Sequence, residues 1–126
     1  MVERDLKRRT FSFACGIVAL CRRLSQTPGV DRQLAGQLLR SGTSVGANLE
    51  EASAAHSRRE FACKLSLVLR EARETLYWLR VIAAARLTDA QDLQKLTKEA
   101  DELVAIFTIA TRRAKQPVSA RDPGAR

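Results

Sequence analysis

Apolar residues recur at three- and four-residue intervals through four stretches of the chain, the spacing that gathers them on one face of an α-helix. In the first stretch Phe13, Ile17, Leu20 and Leu24 form one stripe, and Phe11, Ala14, Val18 and Cys21 form a second beside it. They predict a helix over about Leu6–Leu24 whose apolar face is wider than one packing seam needs. Pro28 and Gly29 break the pattern, and Asp31 is placed to cap the next helix by accepting from its exposed backbone N–H groups. That helix is predicted over about Arg32–Ala54, with Leu34, Leu38, Val45 and Leu49 on its period and Leu39 alongside. In the third stretch, about Arg58–Arg86, the residues Phe61, Leu65, Val68, Ala72, Thr75, Leu79 and Ile82 alternate as in a bundle seam. Leu67, Leu76, Trp78 and Val81 widen its buried surface. The fourth, about Asp89–Ala114, carries Leu93, Leu96, Ala100, Leu103, Phe107 and Ala110 as a heptad stripe, with Val104, Ile106 and Ile109 adding apolar width. Ser57-Arg58-Arg59-Glu60 and Thr88-Asp89-Ala90-Gln91 read as capping boxes at the starts of the third and fourth helices.

Four such helices joined by short turns predict an all-α chain folded as an antiparallel up-down-up-down four-helix bundle over residues 1–114. Residues 115–126, with Pro117, Pro123 and Gly124, are predicted to be a disordered basic tail. An extended two-hairpin arrangement or a domain-swapped one fits the same periodicity. Gly42 and Gly46 stand four residues apart inside the second helix, where each glycine costs about 1 kcal/mol relative to alanine. Either they kink or split that helix, or they form a smooth strip that lets another backbone approach closely.

The chain has 126 residues, enough for one core, and Gly and Pro are scarce at 6 and 3. Lys and Arg number 22 against 14 Asp and Glu, a formal net charge of +8. Such a balance makes polyanions plausible partners and also keeps a small protein soluble. The excess is uneven: residues 1–30 hold six basic against two acidic side chains, residues 57–86 seven against three, and residues 87–114 four against five. Three cysteines, Cys15, Cys21 and Cys63, have no paired spacing, and no secretory signal accompanies them. Both facts point to a reducing, cytoplasmic setting. Arg22 and Arg23 interrupt the apolar run of the first helix, so no membrane span is expected.

The segments Gln37-Leu38-Leu39-Arg40-Ser41-Gly42-Thr43-Ser44-Val45-Gly46-Ala47-Asn48-Leu49-Glu50-Glu51-Ala52, Ser57-Arg58-Arg59-Glu60-Phe61 and Glu71-Ala72-Arg73-Glu74-Thr75-Leu76-Tyr77-Trp78-Leu79 carry a family resemblance. Over roughly Asp5–Thr111 the chain resembles the four-helix bundle proteins encoded in intervening sequences of bacterial 23S ribosomal RNA genes. Some members of that family bear a ribosomal-protein label. The resemblance implies a four-helix bundle that forms ring-like pentamers and implies no established biochemical role. The chain is also distantly similar, in fold, size and basic charge, to the accessory proteins of diversity-generating retroelements, which bind nucleic acid and a reverse transcriptase. Its second-helix signature looks closer to the intervening-sequence branch.

Against that background the charged residues divide into two candidate groups. Arg40, Glu51, Glu71 and Glu74 match charged positions of the family pattern. Together with Asn48 they are expected to form a structural polar network, Arg40 bridging carboxylates between the second and third helices. Asn48 either bonds across an interface or is simply solvent-exposed. A di-metal carboxylate site would draw Glu from all four helices and add Glu-x-x-His motifs. With His56 the only histidine, no metal, cofactor or catalytic site is expected. Arg58, Arg59, Arg70, Arg73 and Arg80 form the second group, either a groove that contacts phosphates or an ordinary solvated face. No helix-turn-helix, zinc finger or RNA-reading aromatic motif accompanies them, so binding would be directed mostly at the nucleic-acid backbone. The expectation is a non-enzymatic oligomer, a pentamer by resemblance, that binds RNA or DNA with low sequence specificity. The alternative is an assembly or adaptor module for one protein partner.

Overall fold

The apolar stripes set the interior of the computed structural model, which describes residues 2–117. Helices α1 (Val2–Leu24), α2 (Val30–Ser53), α3 (Arg58–Ala84) and α4 (Gln91–Lys115) follow one another. Each packs antiparallel on the next, and α1 and α4 meet along the remaining, sparser seam. The result is an all-α, up-down-up-down four-helix bundle, with no strand among the described residues. Phe13, Ile17, Leu20 and Leu24 of the first stripe are all buried, as are Leu65, Val68, Ala72, Thr75, Leu79 and Ile82 of the third. Leu93, Leu96, Ala100, Leu103 and Phe107 complete the core from α4.

The two glycines of α2 lie inside an unbroken helix. A methyl group at Gly42 would fall 2.8 Å from Cγ1 and from Cγ2 of Ile17. One at Gly46 would stand 3.2 Å from the Thr10 hydroxyl and 3.3 Å from the Thr10 carbonyl oxygen. The smooth strip therefore seats α1 against α2 within the subunit, and the kink reading falls. Thr10 is buried there because its hydroxyl donates back into its own helix, 2.9 Å from the Leu6 carbonyl oxygen. Thr111 ties α4 to α3 by donating to the Leu65 carbonyl oxygen at 3.3 Å. Among the described residues no buried side-chain nitrogen or oxygen lacks a partner.

Where the structure departs from expectation, turn geometry or the edge of a helix face is responsible. Helix α2 starts at Val30 rather than Arg32, and its N-cap is Gly29, not Asp31. The backbone of Gly29 is at φ 91°, ψ −132°, a region that favours glycine. The turn is therefore set by backbone freedom, and Asp31 sits inside the first turn as a favourable negative charge. Ser57 caps α3 as expected, accepting from the Glu60 N–H at 3.0 Å. The second capping box does not form: α4 starts at Gln91 behind Ala90, and the Thr88 hydroxyl instead accepts from the Ala90 N–H at 3.2 Å. Of the expected second stripe on α1 only Cys21 is buried. Phe11 is 68% exposed, and Val18, with Leu39 of α2, is exposed as well. On α4, Ile109 faces solvent and Ile106 is half-buried. Of the expected disordered tail, residues 118–126 lie outside the described residues.

Candidate nucleic-acid interface

Ion pairs join neighbouring helices of this bundle. The α1–α4 seam is closed by Arg9, which donates from Nε to Glu99 Oε2 at 3.0 Å and from Nη2 to Glu99 Oε1 at 2.6 Å. Its Nη2 also lies 3.2 Å from Glu102 Oε1. The Glu99 carboxylate raises the Arg9 pKa above its ordinary value, chiefly through this two-pronged hydrogen bond. Farther along the seam Arg23 pairs with Asp92. Between the two ion pairs, Gly16 leaves room for Leu96, whose Cδ2 would stand 2.9 Å from a methyl at that position.

On the opposite side, Arg40 of α2 reaches two carboxylates of α3. It lies 3.3 Å from Glu71 Oε1 and pairs with Glu74 through its other terminal nitrogen. Glu74 also accepts from the Trp78 indole N–H at 3.0 Å. The indole and then the guanidinium hold the Glu74 carboxyl below the usual carboxylate range. The structure thus brings Arg40, Glu71 and Glu74 together but leaves the other two expected members out. Asn48 donates to the Ser44 carbonyl oxygen one turn back in its own helix at 2.9 Å. Glu51 is exposed and takes no part in the cluster.

Arg58, Arg59, Arg70, Arg73 and Arg80 are all exposed on α3. At 3.6 residues per turn they fall within about a third of the helix circumference. The acidic residues Glu60, Glu71 and Glu74 lie to one side, toward α2. None of the five arginines joins an ion pair among the described residues, in contrast to Arg9, Arg23 and Arg40. Arg70 and Arg73 line a shallow hollow of about 310 Å³ with Lys115 of α4. Arg80 stands with Arg86 and Lys98 over a wider groove of about 1230 Å³, floored by Leu76, Leu87 and Leu93. Asp89 and Asp101 also line that groove, so its charge is mixed.

The sequence reading missed Tyr77. It sits four residues after Arg73 and three before Arg80, a spacing that puts all three on one face. Its side chain is 56% exposed. The signal was present in the spacing but belonged to no recognised motif.

A family model for the 23S rRNA-intervening sequence protein matches residues 3–108. The chain belongs to the 23S rRNA-intervening sequence protein family. A solved structure agrees with this. A protein of unknown function from the S23 ribosomal protein family of Bacteroides thetaiotaomicron VPI-5482 superposes with a TM-score of 0.80 at 32% identity. The alignment covers 89% of this chain and 99% of that one. No match is found among curated proteins.

In this member of the 23S rRNA-intervening sequence protein family, the described residues hold no group of three or more His, Cys, Asp or Glu able to bind a metal ion. Among them no helix is long and apolar enough to cross a membrane. His56 is exposed in the α2–α3 turn. Cys15 and Cys63 are exposed, whereas Cys21 is buried, and desolvation pushes its thiol up to about 11. With its Sγ 3.3 Å from the Ala35 carbonyl oxygen, Cys21 behaves as a packed, protonated side chain.

The Glu74 shift predicts a pH dependence in this intervening-sequence protein. A carboxyl whose pKa is lower in the folded state adds stability above its unfolded value, about 4.3. That stability is lost as pH falls through the folded value. Glu74→Gln should therefore flatten the acid limb of a stability profile below about pH 5. Urea unfolding at a series of pH values measures it. A variant profile that runs parallel to the wild type would show that Glu74 contributes nothing through its charge.

Proposed function

We propose that this protein is a non-enzymatic, oligomeric helical bundle that binds nucleic acid through the arginine face of α3, with low sequence specificity. The observation that carries this reading is the row of exposed arginines along one face of α3. Carboxylates neutralise Arg9, Arg23 and Arg40, while Arg58, Arg59, Arg70, Arg73 and Arg80 stand exposed outside those pairs. Guanidinium groups arrayed along one helix meet phosphates as a line of point contacts and release counterions on binding. Such contacts position a backbone and do not read base edges.

Assembly into a closed ring supports the same function. Phe11, Val18 and Leu39 leave apolar side chains in solvent along the α1–α2 face, a feature that commonly marks a contact site. The number five rests on the family resemblance. In a ring, weak phosphate contacts act together and raise avidity without any new contact. A cytoplasmic setting suits a chain with unpaired thiols and a nucleic-acid partner.

The test is a salt titration of RNA and DNA binding. The wild type should retain mixed-sequence nucleic acid at about 50 mM salt and release it steeply by about 200 mM. Arg70→Ser, Arg73→Ser and Arg80→Ser combined should weaken binding nearly equally for all sequences and lower the salt slope by about three. If wild-type protein shows no retention at the lower salt, the adaptor reading replaces this one.

A further inference from the structure

We propose that Tyr77 is a base-stacking residue that makes the arginine face of α3 selective for single-stranded over double-stranded nucleic acid. The proposal rests on the nucleic-acid reading above and goes beyond it by naming the substrate class. The arginine contacts alone make no such distinction, because both forms present phosphates.

Three observations carry it. First, Tyr77 is 56% exposed and shares its face with Arg70, Arg73 and Arg80, which lie seven and four residues before it and three after. From Arg70 to Arg80 the helix rises about 15 Å, so the ring lies between cations that can hold the backbone on either side of it. Second, the ring is braced. It meets Trp78 edge to face, with centroids 5.2 Å apart and planes at 69°. Trp78 in turn donates to Glu74 at 3.0 Å, and Glu74 is paired with Arg40. A large aromatic held in place before binding loses little freedom when a base stacks on it. Third, Tyr77 is exposed beyond the needs of the core, which α3 fills from Leu65, Val68, Ala72, Thr75, Leu79 and Ile82 on its other side.

The chemistry then distinguishes the two forms of nucleic acid. Every base has a π-face, so stacking tolerates sequence, as the arginine contacts do. In a duplex those faces are occupied by neighbouring base pairs, and an aromatic on a convex helix cannot reach them without paying for unstacking. In a single strand they are available. Tyr77 therefore adds affinity only where bases are unpaired.

The full-length protein should be titrated at about 50 mM salt against fluorescein-labelled oligothymidylate of about 20 nucleotides, and against a mixed-sequence duplex of the same length. Tyr77→Ala is expected to lower single-strand affinity by about 5- to 150-fold, leaving duplex affinity and particle mass unchanged. Tyr77→Phe, which keeps the ring, should bind like the wild type. If the wild type binds and Tyr77→Ala leaves single-strand affinity intact, the stacking role is overturned and the arginine reading stands. If Tyr77→Ala weakens both forms alike or changes the particle mass, Tyr77 is a subunit contact and the proposal falls. If the wild type binds neither probe, the underlying reading fails and this one with it.

Discussion

Phe107→Ala is expected to destabilise the protein by about 3–5 kcal/mol, the usual cost of removing a fully buried aromatic ring. Phe107 is 0% exposed and belongs to the same buried cluster as Leu103 and Ala100 of its own helix, Ile17 and Leu20 of α1, and Leu65 and Val68 of α3. Its removal costs the transfer of the ring from water and leaves a cavity that the rigid helices around it cannot close. Against a total stability of about 5–15 kcal/mol for a domain of this size, the loss is large. Ile109→Ala supplies the control. Only two residues away but 60% exposed, it should change stability by less than about 0.5 kcal/mol. Both variants are compared by urea unfolding at one protein concentration, because association would couple stability to concentration. Equal costs at the two positions would mean that α4 is rotated about its axis relative to the structure.

That contrast between neighbours also shows how far the sequence could be read. The seams of α3 and α4 were legible because a heptad stripe is a local property, and Leu65 through Ile82 and Leu93 through Phe107 are buried as their spacing requires. Phe11, Val18 and Leu39 were harder, because an apolar residue at the margin of a helix face obeys the same periodicity whether a neighbour covers it or not. The Gly42–Gly46 strip was visible in the sequence, but its partner was not. Choosing between a kink and a close approach needs Ile17 and Thr10, more than twenty residues away in sequence. Turn chemistry misled twice. Asp31 and Thr88 have the right side chains for caps, but Gly29 and Ala90 occupy the cap positions.

In the candidate site the same limits apply. Arg40, Glu71 and Glu74 come together across the α2–α3 interface. Asn48 makes its hydrogen bond within its own helix, to the Ser44 carbonyl one turn back. Tyr77 fell outside recognition because a lone aromatic among arginines forms no motif. Its meaning comes from exposure, which periodicity alone could not assign.

The second large effect concerns assembly: Phe11→Asp is expected to convert an oligomer into folded single chains of 14.0 kDa. Phe11 lines a small, largely apolar hollow of about 280 Å³ between α1 and α2, with Ala14, Thr43, Gly46 and Ala47. Lys7 and Glu50, paired at 3.7 Å, stand at its rim. Val18 and Leu39 line a second hollow between the same two helices. An apolar strip flanked by charges has the composition of an interface, with a dry centre and a polar margin. A carboxylate placed in that centre would lose its water on association, a cost that the lost apolar contact of the ring would no longer offset. Because Phe11 is 68% exposed, the substitution should leave the bundle core intact, and circular dichroism should match the wild type. Ile109→Asp tests the competing surface on α4. Sedimentation equilibrium at low micromolar concentration separates the outcomes. A wild-type particle at the chain mass would end the assembly reading altogether. A wild-type dimer would keep the apolar-strip inference and break the pentamer drawn from the family. If Ile109→Asp dissociates the particle while Phe11→Asp does not, the subunits meet on α4. A head-to-tail contact there would have to close on itself, since one that did not would propagate into filaments.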